Sequence, residues 1–146
     1  MDIIGLLNDL TGGNLLLWKV VGTSIVLLLA GVQVLLAARF WGVSTVPPMT
    51  VGSAARWHRI VGRASLTVAV LVAVSCIAGP AGPTSPTRVL LHSVFGTLVF
   101  LILAAKFALI RVLHSGDRLL PWIGTALFLV FGAIWATSVA DYVTAR

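Results

Sequence analysis

Four long apolar stretches, each closed by charged or helix-breaking residues, constrain this chain more than any other feature. Between Lys19 and Arg39 lie nineteen uncharged residues, Val20 to Ala38. At a rise of about 1.5 Å each, they cover most of a hydrocarbon core of about 30 Å. In lipid every backbone N–H and C=O has to be satisfied within the segment, so a stretch of this kind is an α-helix. The second stretch enters through Arg56-Trp57-His58-Arg59 and Arg63 and runs to Ile77. Gly79, Pro80, Gly82, Pro83 and Pro86 then stop it, because proline lacks the donor a continuing helix needs. A third runs from Val89 to His114, carries one internal charge, Lys106, and ends at the turn Ser115-Gly116-Asp117. The fourth covers Leu119 to Val143, with Pro121 in its first turn, where the missing donor costs little. Trp122, Trp135 and Tyr142 suit interfacial positions near its ends.

The fold predicted from this pattern is all-α: an up-and-down four-helix transmembrane bundle with spans at about 15–41, 57–79, 89–114 and 119–143. Residues 1–14 form a short segment before it, either a helix lying on the outer membrane surface through Ile3, Ile4, Leu6, Leu7 and Leu10 or an irregular end. Composition agrees, since 59% hydrophobic and 10% charged residues leave too little polar surface to coat a soluble globule. A net charge of +6 would raise nucleic acid as a partner for a soluble protein. Here the basic residues sit at the edges of apolar runs, where they set topology and meet acidic lipid head groups, so no nucleic-acid partner is expected.

Arg39, Arg56, Arg59, Arg63, Lys106, Arg111 and Arg118 fall on one side of the bundle, and Lys19, Arg88 and Arg146 on the other. The positive-inside rule then places both termini outside the cytoplasm of a multi-pass protein of the bacterial inner membrane. Asp2 and Asp9 stand where a secretory signal would be basic, so no cleaved signal peptide is expected. Cys76 is the only cysteine, which excludes an intramolecular disulfide and any cysteine-pair metal motif.

With so few polar groups, the histidines and the charges in or near the spans are the informative positions, because lipid penalises them unless something pairs with them. His58 and His92 each have a glycine four residues later, Gly62 and Gly96, on the same helix face one turn along. That leaves room for a flat macrocycle beside an imidazole, and bis-histidine ligation of haem gives a centre suited to electron transfer. Arg56, Arg59 and Arg63 are candidates to meet haem propionates near His58. Antiparallel spans separate His58 from His92 by about 30 Å in depth, so they do not share one iron. His114 lies at the depth of His58, giving an inner pair. Cys76, eighteen residues after His58, falls on the same face at the depth of His92, giving a weaker outer pair.

Each of these residues has a plainer reading. Histidines beside arginines snorkel into head groups, and glycines at four-residue spacing mediate close helix packing. His114 before Ser-Gly-Asp suits a cation at a helix C-terminus, and a lone cysteine is commonly a small core residue. Lys106 shares one stripe of the third span with His92 and His114 and either pairs with a propionate or quinone-like ligand or snorkels to the cytoplasm. Gln33 and Asn14 read as interhelical hydrogen-bond formers. No hydrolytic triad, phosphate loop or carboxylate pair is present, so catalysis by side chains alone is not expected.

The segments Arg56-Trp57-His58-Arg59-Ile60-Val61-Gly62-Arg63, Arg88 to Gly96, Ala105-Lys106 and Trp135-Ala136-Thr137-Ser138 resemble an uncharacterised bacterial family of small four-span membrane proteins, distantly similar to cytochrome b561-type haem proteins. The resemblance covers Arg56 to Tyr142 and implies a haem-binding bundle with His58, Gly62, His92, Gly96 and Lys106 at the matching positions. That pattern often has a histidine beside the cysteine closing the second span; Ser75 stands there instead, so the outer site lacks a second imidazole. The leading expectation is a membrane-embedded electron-transfer protein binding haem b, with a quinone or respiratory component as partner. The competing one is a cofactor-free accessory subunit packed into a larger respiratory complex or a homo-oligomer; a small transporter is weaker, since no span carries a run of pore-lining polar residues.

Overall fold

Asn14 starts the first long helix: its side-chain oxygen accepts from the Leu17 amide at 3.0 Å, satisfying one of the donors a helix N-terminus leaves open. Thr50 does the same for Ser53 at 3.2 Å. Ser85 caps the next helix, with Pro86 in its first turn. The computed structural model describes residues 3–79, 85–113 and 119–144. It consists of α1 (Ile3–Leu10), α2 (Leu15–Phe40), α3 (Val51–Ala78), α4 (Pro86–Ala108, widening into a π-helical turn at Leu109–Leu113) and α5 (Leu120–Thr144). No strand occurs among the described residues.

Four helices are each long and apolar enough to cross a bilayer: α2, α3, α4 with its extension to Arg111, and α5. The chain is therefore a multi-pass, all-α membrane protein. α3 begins at Val51, ahead of the expected start near Trp57, because the Thr50 cap sets the boundary and the polar first turns carry no hydropathy signal. α2 stops at Gly42, which adopts φ 74°. The Val43 amide reaches back to the Ala38 carbonyl at 2.9 Å and the Gly42 amide to Arg39 at 3.3 Å, a Schellman motif that needs the left-handed glycine. His114, the turn Ser115-Gly116-Asp117, Arg118, Pro80, Gly82, Pro83 and Arg146 lie outside the described residues.

α2 is the hub. It packs on α3 along one side and on α5 along the other, α5 in turn packs on α4, and α3 and α4 hardly touch. Small residues make the close approaches: Val72 Cγ2 fills the space over Gly22, and Phe128 lies against Gly31. Ala54 and Ser75 are 0% exposed while Leu28 is 71% and Ile77 87%, so bulky apolar side chains point outward, which is stable only in lipid. The buried hydroxyls bond within their own helices, Ser75 to Val72 at 2.7 Å and Ser138 to Ile134 at 3.0 Å. Trp135 is half-buried between α5 and α2 and donates to Ser24 Oγ at 2.9 Å, tying the two helices together. Trp122, at 75% exposed, faces outward.

Candidate functional site

Because α3 and α4 do not close on each other, cavities remain among the described residues, one towards each end of the bundle. The first, about 370 Å³, is walled by all four long helices and lined by Cys76 from α3, His92 and Gly96 from α4, and Phe131 from α5. The second, about 510 Å³, is lined by Gln33 and Trp41 on the α2 side, His58 from α3, Lys106 from α4 and Gly124 from α5. Both fall within the range of small-molecule pockets, about 300–1,000 Å³, and both have apolar walls with few polar groups.

At His92 the hydrogen bonds fix the tautomer. Thr137 Oγ1 gives its own hydrogen to the Ile134 carbonyl at 2.8 Å, so it accepts from His92 Nδ1 at 3.0 Å. Nδ1 is therefore a protonated nitrogen of this ring. His58 reaches the same state by another route: its Nδ1 donates to the Gln33 main-chain carbonyl at 3.1 Å, an atom that can only accept. Phe40 packs edge-on against this imidazole, with ring centroids 5.3 Å apart. An Nδ1–H held by a carbonyl or hydroxyl, with Nε2 left basic, is the arrangement that orients ligating histidines.

The two His-x-x-x-Gly motifs part company here. A Cβ on Gly62 would stand 3.1 Å from Gln33 Oε1, so the room beside His58 is taken by an amide from α2. A Cβ on Gly96 would meet nothing within 4 Å, so the wall beside His92 opens onto the cavity. Cys76 and His92, paired by helical arithmetic, do line one cavity. His114 lies outside the described residues, so its pairing with His58 does too; the residue that shares the His58 cavity from α4 is Lys106. Arg56, Arg59 and Arg63 are exposed and line neither cavity.

Other basic residues stand near the His92 cavity. Lys19 Nζ lies 3.3 Å from where a Gly79 Cβ would be, one turn before the cavity residue Thr23. Arg88, one turn before His92, reaches the Ala140 carbonyl at 3.5 Å. Among the described residues no three His, Cys, Asp or Glu side chains gather to hold a bare metal ion.

Residues 7–146 match the model of DUF6529, a family of unknown function. The chain belongs to DUF6529. No curated protein and no solved structure matches it. Belonging to DUF6529 agrees with the expected uncharacterised membrane family and assigns no cofactor. In this DUF6529 chain the site residues that sequence reasoning passed over are Thr137, whose signal was its place in the Trp135-Ala136-Thr137-Ser138 segment, and Lys19 and Arg88, read only as topology markers. Gln33 reads in the sequence as an interhelical hydrogen-bond former, and it is one through its backbone. Its carbonyl is what holds His58, and a main-chain acceptor leaves no trace in residue identity.

Proposed function

We propose that this protein is an electron carrier of the membrane that holds a b-type haem in the His92 cavity and exchanges electrons with a quinone or a protein partner of a respiratory chain. The observation that carries the reading is His92 itself, with Nδ1 anchored on Thr137 beside the open wall at Gly96. A bound haem would supply one-electron redox chemistry. The chain's own residues would do the rest. His92 would hold the haem iron, Thr137 would keep the imidazole oriented, and Cys76 lies on the α3 wall of the same cavity. Phe100 and Phe131 keep the cavity apolar, and Lys19 and Arg88 lie near its outer end, where carboxylates of an amphipathic macrocycle would need cations. A single cysteine leaves no pair for covalent c-type attachment, in keeping with a non-covalent haem.

The test is a visible spectrum of protein purified from cells well supplied with haem. A Soret band with reducible α-bands is expected, lost in His92→Ala and kept in His58→Ala. No Soret band in the wild type would sink the proposal, and loss in His58→Ala alone would move the haem to the other cavity.

A second reading, a cofactor-free accessory subunit, draws on one observation. Only 6% of the most apolar window of Pro86–Arg111 is buried within the chain, against 28% for Leu15–Phe40, which leaves α4 a broad face for a partner helix. Copurification with a respiratory complex, without a chromophore of its own, would favour it.

A further inference from the structure

The His58 cavity has a chemical character of its own. Gln33 lies seven residues before the end of α2, His58 seven after the start of α3, and Lys106 seven before the end of the π-turn, so all three sit about 10 Å inside the same end of the bundle. They form one polar layer in a cavity of about 510 Å³ whose remaining walls are apolar and aromatic, with Phe40, Trp41 and Phe128 among them. Within that layer the hydrogen-bonding capacities are complementary. His58 Nδ1 is committed to Gln33, so Nε2 is an acceptor, while the Lys106 ammonium is a donor that no hydrogen bond or ion pair among the described residues occupies.

We infer that this cavity seats the head group of a quinone-class ligand, a flat ring with an oxygen at each side. One oxygen takes a hydrogen bond from Lys106 Nζ, and on the reduced form the opposite hydroxyl donates to His58 Nε2. The aromatic walls stack against the ring, and the poorly closed α3–α4 seam is the side from which a lipid-soluble molecule would enter. A saturated lipid tail would satisfy the apolar walls and leave both polar groups unpaired, which is costly in a membrane interior. The inference rests on the electron-carrier reading for the ligand's purpose, not for its binding.

Trp41 on the cavity wall gives a readout that needs no haem. Menadione titrated into the detergent-solubilised full chain should quench tryptophan fluorescence saturably, and Trp41→Phe should remove most of the saturable part. Lys106→Gln should weaken binding about ten- to a hundredfold, as expected for losing a charge-assisted hydrogen bond. Arg59→Gln, which removes a cation outside both cavities, should leave the affinity unchanged. Should Lys106→Gln fail to fold, Gly124→Leu serves: its Cβ meets nothing within 4 Å, so the side chain grows into the cavity and should abolish binding with the helices intact. Non-saturable quenching, equal affinity in Gly124→Leu, or full competition by phosphatidylglycerol would overturn the inference. Saturable binding by a protein without a Soret band would remove the haem reading and leave this site standing; a Soret band without saturable quenching would do the reverse.

Discussion

At the scale of single residues, hydrogen-bond direction and the space over glycines carry most of the information. Thr137 matters because its hydroxyl is already spent on Ile134 and can only accept from His92. Thr137→Val keeps the shape and removes the acceptor. Under the haem reading it should lower haem affinity about ten- to a hundredfold, the usual cost of losing a ligand's orienting partner, measured by haem retention against a competing apo-globin. The glycines give a contrast that needs no cofactor. Gly22→Leu drives a side chain into Val72 on the tightest helix pair and should lower the thermal midpoint in detergent, overpacking of this kind costing about 1–3 kcal/mol. Gly96→Ala points into empty space and should be neutral or stabilising by up to about 1 kcal/mol through helix propensity alone. If Gly96→Ala destabilised as much as Gly22→Leu, the open wall beside His92 would be wrong.

At the scale of elements, the helix ends are chemical, but the hydropathy pattern does not show them: it puts the start of α3 near Trp57 and leaves Asn14 as an interhelical hydrogen-bond former. Asn14, Thr50 and Ser85 are cap residues followed by apolar runs, and Gly42 follows Arg39 where a left-handed residue is required. Gly42→Ala would place a Cβ at φ 74° and should destabilise α2's end by about 1–2 kcal/mol, read as faster amide exchange at Ala38 to Val43. Which helices are neighbours was not legible. A soluble helix announces its packed face by an apolar stripe, whereas these spans are apolar all round and bury alanine, serine and glycine instead. Part of the site was readable by rotation alone. At about 100° per residue, Arg56, Arg59 and Arg63 fall about 100–160° around α3 from His58, so they could not share its cavity. The amide over Gly62 was not readable, since it arrives from another helix.

At the scale of the whole molecule, the two cavities give the bundle a polarity that topology must match. The His58 cavity, with Lys106, lies at the end carrying Arg39, Arg56, Arg59 and Arg111, and the His92 cavity lies at the end carrying Lys19 and Arg88. The positive-inside rule would make the richer end cytoplasmic. A quinone seat there and a haem on the opposite side would place the exchange of electrons across the bilayer rather than along one face. Along α4, His92 and Lys106 are fourteen residues apart, about 21 Å in depth. The arrangement predicts an active alkaline phosphatase and a dark cytoplasm-dependent fluorescent protein when each is fused after Arg146, with the opposite pair of signals for fusions placed in the 42–50 loop. Reversed signals would put the Lys106 layer on the outer side. The cavities would keep their chemistry, but any partner that donates or accepts electrons in the cytoplasm would then have to meet the bundle at the His92 end.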